Sequence, residues 1–289
     1  MPVRSLLAIS DLHVTHAGNR EIIEGIQPHH DDDWLIVAGD VAESVDAIEW
    51  ALDLLAGRFA KVIWTPGNHE LWTVDSDPGA PRGVRRYELL VDLCRRLGVV
   101  TPEDDYPIWE TDEESFVVAP LFLLYDYSFR DPGTSLADAM EYAYSTGLVF
   151  SDERVLYPDP FASRQEWCAH RVASTERRLA ALPEDLRTVL VTHFPLHRGP
   201  TTMLRHPHLA MWCGTELTAD WHLRFRAVAA VYGHLHIPVT LEYDGVRFEE
   251  VSLGYPREWR SRPNRPADPL RSILPADPTR VPWNRRSEA

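Results

Sequence analysis

The sequence predicts an α/β fold whose chemistry sits where its strands end. Two observations carry the fold class: short apolar runs rich in β-branched residues, and amphipathic stretches of helical spacing between them. A third places the site. Five of the runs are followed within two to four residues by Asp, Asn or His, and in open α/β sheets ligands bind beyond the carboxyl ends of the strands.

In chain order, strands are expected over 3–9, 34–38, 62–64, 116–119, 188–191 and 228–232, each an apolar run of strand length. The third, Lys61-Val62-Ile63-Trp64, breaks at Pro66-Gly67. Helices are expected over 42–55, 83–97 and 163–182, with Gly57 and Gly98 near ends as stop signals. From Ser261 prolines recur among arginines, which reads as an extended tail, wrapped on the domain or left loose. The expected organisation is therefore one domain over 1–260, with a cap-like insertion at about 121–183 and a long loop at 195–215, then a tail over 261–289.

At 289 residues with 44% hydrophobic residues, the chain can bury a large core. Its formal net charge of −15 argues against nonspecific nucleic-acid binding, because phosphate backbones are gripped by basic surfaces. The apolar start reaches Asp11 too soon for a secretory leader, and no stretch holds the roughly 18 apolar residues of a membrane span. Cys94, Cys168 and Cys213 form no CxxC or even-numbered framework, so they read as ordinary thiols. A cytoplasmic protein is expected.

The strand ends deliver Asp11-Leu12-His13, Gly39-Asp40, Gly67-Asn68-His69-Glu70, Thr192-His193 and Gly233-His234-Leu235-His236. Oxygen and imidazole donors without Cys suit two transition metals better than one closed structural zinc. A carboxylate such as Asp40 can bridge two cations, and alternate residues in Asp11-x-His13 or His234-x-His236 can approach one centre together. A lone DxH or GHxH pair is common by chance; five ligand-bearing strand ends in this order are not.

These blocks, DLH, GD, GNHE, TH and GHLH, resemble the calcineurin-like metallophosphoesterase family from Asp11 to about Pro238. The resemblance implies a four-layer α/β/β/α sandwich of two mixed sheets with a dinuclear site at one edge. One metal would be held by Asp11, His13, Asp40 and His236, the other by Asp40, Asn68, His193 and His234, with Asp40 bridging. The ions expected are Mn, Fe or Zn, and Co fits the same donors. The family's chemistry makes a bridging hydroxide the nucleophile, with His69 beside Asn68 facing substrate as proton donor to the leaving group. Glu70 is expected either to orient an imidazole or to lie on the surface.

The activity expected first is a phosphomonoesterase acting on a small phosphorylated metabolite. The alternative is a phosphodiesterase on cyclic nucleotides or nucleic acid, and a metal-free scaffold of the same fold ranks last. Gly39-Asp40-Val41-Ala42-Glu43 lacks the GDxxDRG extension of the Ser/Thr protein phosphatases, which places that branch low.

Substrate contacts are expected from the insertion and the loop after His193, since long loops in compact domains are usually functional. Arg130 and Arg198 could grip a phosphate or carboxylate, while Tyr125, Tyr127 and Trp212 could stack on a sugar or base. His197, His206 and His208 lie in the same loop. The competing reading is that the insertion packs as an extra helical layer. After the first block, His16, Asn19 and Arg20 are candidates for the site mouth, against a helix start capped by Asn19.

Overall fold

The computed structural model describes residues 4–73, 79–111, 114–147, 150–262, 268–280 and 282. In chain order its elements are β1 (Leu6–Ile9), α1 (Ala17–Gly25), β2 (Trp34–Val37), α2 (Val45–Ala56), β3 (Lys61–Trp64), α3 (Val84–Arg96), β4 (Ile108–Glu110), β5 (Ser115–Pro120), α4 (Leu136–Ser145), α5 (Asp152–Val155), α6 (Arg164–Ala180), β6 (Arg187–Val191), α7 (Trp221–Arg224), β7 (Ala227–Tyr232), β8 (Thr240–Tyr243), β9 (Val246–Glu250), α8 (Pro256–Trp259) and β10 (Arg271–Leu274). They build two mixed sheets, ordered β10-β1-β2-β3 and β4-β5-β6-β7-β9-β8.

The strands read as unbroken apolar runs because both faces of each sheet are covered. Leu6, Ala8, Ile36, Ala38 and Ile63 pack with Val118, Val189, Val191, Ala229 and Val231 in the layer between the sheets. Their neighbours Leu7, Ile9, Leu35, Val37, Val62 and Trp64 belong instead to the core that includes the helical residues Ile48, Leu52, Leu90 and Trp167. That period-two alternation produces the two mixed sheets flanked by helices that the sequence led us to expect. β1, β2 and β3 run parallel, as do β5, β6, β7 and β9, so the ends that carry the candidate ligands converge.

Ser44 and Ser163 cap α2 and α6, their side chains accepting from the N–H of Ala47 and Glu166. α1 does begin after the first block, but its cap position is His16. Asn19 is not a cap: it is buried, donates to the carbonyls of Leu12 and Gly254, and accepts from Trp259 Nε1. It ties the first block to the chain before α8. Residues 271–274, within the Pro- and Arg-rich stretch, pair antiparallel with β1 and close the first sheet, with Ile273 fully buried. Val3 and, of the expected tail, 263–267, 281 and 283–289 lie outside the described residues. Among the described residues no helix is long and apolar enough to cross a membrane.

Candidate functional site

Three of the five strand ends, at Asp11-Leu12-His13, Asp40 and His234-Leu235-His236, turn through left-handed backbone to aim their side chains, and the backbone carries the strain. Asp11, His13, Asp40, His234 and His236 all have positive φ, from 41° to 68°. That region costs an L-residue about 1–2 kcal/mol, and such strain persists where the surrounding structure over-determines it. Close packing demands glycine beside them. A Cβ on Gly67 would collide with Asp40 Oδ1, and one on Gly233 with Ser10 Oγ.

The result is a buried pair of donor groups. His236 Nε2 lies 2.9 Å from Asp11 Oδ1 and 3.3 Å from His13 Nε2. On the other side, His193 Nε2 lies 3.4 Å from Asp40 Oδ2 and 3.3 Å from His234 Nδ1. Asp40 Oδ2 also stands 3.9 Å from His13 Nε2, so it sits between the two groups. Asp11, His13 and His236 could hold one metal ion, and Asp40, His193 and His234 another. Asn68 Oδ1 is buried and has no hydrogen-bond partner among the described residues, the state expected of an amide oxygen that a cation would satisfy.

The electrostatics fit positive charge at both places. Burial pushes the Asp11 and Asp40 carboxyls up, but the imidazoles around them reverse this and hold both well below the carboxylate range. Burial pulls His193 and His236 down, yet Asp40 and Asp11 respectively outweigh it and push each up to about 10. Their partners His234 and His13 are pushed down to about 3, chiefly by burial. Asp11 and Asp40 thus favour positive charge beside each facing pair of imidazoles, while burial and mutual repulsion disfavour charging both rings. A cation meets that demand while using both lone pairs.

Further residues fix the donors, as outer partners of metal ligands do. His236 Nδ1 lies 2.7 Å from Glu258 Oε2 on α8. His193 Nδ1 lies 2.9 Å from the Ala38 carbonyl, which leaves Nε2 for the site. Asp11 Oδ2 accepts from Ser252 Oγ at 2.7 Å and from the His234 N–H at 3.0 Å. Glu70 neither orients an imidazole nor lies on the surface. It is fully buried and accepts the N–H groups of Gly67, Asp40 and Val41, each at 2.9 Å, which binds the second and third blocks together. Burial, reinforced by the charge of Asp40, pushes its carboxyl up to about 7.

His69 stands at the rim of this cluster. Its Nδ1 lies 2.8 Å from Glu43 Oε1, its Nε2 3.8 Å from Asp40 Oδ2, and its ring stacks on Trp72 at 3.7 Å. Burial pulls the imidazole down, but Asp40 and Glu43 outweigh it and hold His69 above its ordinary value. The sequence reading missed Glu43, Ser252, Glu258 and Asp152. Glu43 had a signal, its position three residues past Asp40 in Gly39-Asp40-Val41-Ala42-Glu43; the others come from distant segments with no motif around them.

The residues expected to contact substrate have partners within the chain. Arg130 donates to the carbonyls of Thr134 and Tyr127 in its own loop, and Arg198 pairs with Asp131. Tyr125, Tyr127 and Trp212 are buried. Tyr127 and Trp212 both donate to Glu153 at 2.8 Å, and Arg164 pairs with the same carboxylate. These side chains hold the insertion together, as an extra layer would. Phe150, half-buried and stacked on Trp212, reaches the His234 ring at 6.3 Å between centroids. His16 is exposed against Tyr255, which stacks on His13, whereas Arg20 pairs with Glu24 and covers Trp50. His197 packs among Tyr243, Phe248 and His222, and His206 and His208 lie beside each other, His208 against Tyr142 on α4.

Residues 4–238 match the calcineurin-like phosphoesterase family. The chain is 54% identical over 279 residues to the [acyl-carrier-protein] phosphodiesterase PptH of Mycobacterium tuberculosis, an alignment covering 96% of this chain and 85% of that protein. It is also similar to the crystal structure of phosphopantetheinyl hydrolase (PptH) from M. tuberculosis, with a TM-score of 0.92 and 53% identity over 97% of this chain and 99% of the other.

Proposed function

The chain belongs to the calcineurin-like phosphoesterase family and is a phosphoric ester hydrolase, and from that premise we propose that it cleaves a phosphodiester on a protein, the phosphopantetheinyl arm of an acyl carrier protein. The observation that carries this reading is the 54% identity, over 96% of the chain, to a relative named for that activity. The relative supports the diesterase alternative over a phosphomonoesterase, and a protein over a small phosphorylated metabolite as partner.

Asp11, His13, Asp40 and His236 would hold one metal ion, and Asp40, Asn68, His193 and His234 a second. Such ions, when bound, acidify a water from a pKa of 15.7 toward ~7 and draw charge from the phosphoryl oxygens. The chain's own residues do the rest. Asp40, fixed by the N–H of His69 at 2.9 Å on its Oδ1, keeps the two groups at one spacing. In the cleavage, an oxygen from water joins phosphorus and the bond from phosphorus to the carrier's hydroxyl oxygen breaks. That oxygen needs a proton, which His69 would give from Nε2 while Glu43 holds Nδ1. The products are phosphopantetheine and the carrier with a free hydroxyl.

The test is a substrate panel with Mn²⁺: a phosphopantetheinylated carrier protein, bis-p-nitrophenyl phosphate and p-nitrophenyl phosphate. We expect the carrier to lose its arm by mass spectrometry, with the diester cleaved faster than the monoester. An unchanged carrier beside rapid monoester hydrolysis would return the assignment to a phosphomonoesterase.

A further inference from the structure

We infer that Asp152, supplied by the insertion, is a positioning residue that turns the Asn68 amide so that its oxygen faces the metal centre. The inference rests on the reading of Asn68 as a metal ligand and adds what makes it one. Asn68 can point either end of its amide at the site, and only the oxygen can hold a cation. Its Nδ2 donates to Asp152 Oδ1 at 3.0 Å. The flipped amide would set its oxygen against a carboxylate oxygen, a contact between two acceptors. Asn68 Oδ1 is thereby left buried on the other side, without a partner among the described residues.

Asp152 is itself held for this task. It is fully buried, Oδ1 also accepts Trp72 Nε1 at 2.6 Å, and Oδ2 accepts Tyr125 OH at 2.9 Å. A buried carboxyl stays only when such donors surround it. The segment carrying it is joined to the third block: Thr73 donates its N–H to the Val155 carbonyl at 2.8 Å, and Trp72 bridges to Leu156. The insertion thus does more than cover the site, because one of its carboxylates sets the direction of a donor that the strand end supplies.

The test measures metal affinity. Wild type, Asp152→Ala, Asp152→Asn, Tyr125→Phe and Asn68→Ala would be stripped of metal, checked for folding by circular dichroism, and titrated with Mn²⁺ by calorimetry. Asp152→Ala should weaken one site about 10–100-fold, the usual effect of losing an outer partner of a ligand, and spare the other. Asp152→Asn keeps an acceptor for Asn68 and should stay within about threefold of wild type. Should the alanine variant not fold, Tyr125→Phe, which frees Oδ2 of Asp152, is expected to weaken the same site to a smaller degree. Unaltered Mn²⁺ affinity in folded Asp152→Ala or, failing that, in Tyr125→Phe, while Asn68→Ala lowers it, would overturn the inference and leave the metal reading intact. A wild type that binds no Mn²⁺, or an Asn68→Ala variant with full affinity, would instead overturn the reading beneath it.

Discussion

Glu43 Oε1 lies 2.8 Å from His69 Nδ1, so the two form a dyad aimed at Asp40. An imidazole held this way keeps one nitrogen for its carboxylate partner and offers the other to substrate. His69→Ala should keep bound metal but lose roughly 10²–10⁴ in turnover on an alkoxide leaving group, and less on p-nitrophenyl esters, which leave without a proton. Glu43→Ala should show the same leaving-group dependence at smaller size. Equal losses across leaving groups, measured as kcat on a graded series of diesters, would assign the dyad a structural role.

Glu70 makes a stability prediction. Its two oxygens accept three backbone N–H groups, so Glu70→Gln must turn an NH₂ toward at least one donor. A buried donor left unsatisfied costs about 1–3 kcal/mol. Urea unfolding of the metal-free protein should show a loss of that size, with an unchanged slope. A variant as stable as wild type would mean that the two blocks are held together without this carboxylate.

His197 predicts acid sensitivity outside the metal cluster. Burial, with His222 beside it, pushes its pKa down from 6.5 to about 4. The unfolded chain therefore binds the proton first, and the stability present above pH 6.5 is lost as pH falls from 6.5 toward 4. Linkage puts the loss at about 2 kcal/mol by pH 5. His197→Asn retains an acceptor for the Gly199 N–H and removes the titration. The stability gap between pH 7.5 and pH 5 should shrink by that amount in the variant; an unchanged gap would place the acid sensitivity elsewhere.

Trp212 is buried and bonded to Glu153. Trp212→Ala should cost roughly 3–5 kcal/mol of stability, as removal of a large core side chain does, and lower turnover on carrier and small diester in parallel. A selective loss on the carrier with stability intact would make Trp212 a substrate contact after all.

How much of this was legible followed from where the information sits. The six expected strands were readable because parallel strands buried on both faces carry unbroken apolar runs, and the candidate ligands were visible because each stands within a few residues of such a run's end. β8 and β9 had a signal that was passed over: Asp244-Gly245 between two alternating stretches is a hairpin turn, with positive φ at both residues. β10 was lost among prolines, since four residues that pair with a strand far along the chain leave no local period to see. Glu70 was located but misjudged, because its neighbours gave no hint that three backbone amides would meet it. Asp152 and Glu258 act through contacts that only the folded chain makes, so their sequences look like any helix start.

The most direct test is metal-titrated turnover of a phosphopantetheinylated carrier protein, run on wild type and Asp40→Ala after exhaustive chelation verified by elemental analysis. The account predicts a silent metal-free enzyme, activity rising with Mn²⁺ until two equivalents are bound, release of phosphopantetheine, and almost no recovery in Asp40→Ala, which lacks the carboxylate between the two groups. Full release of the arm by the verified metal-free protein, or undiminished release by the metal-loaded Asp40→Ala variant, would contradict it.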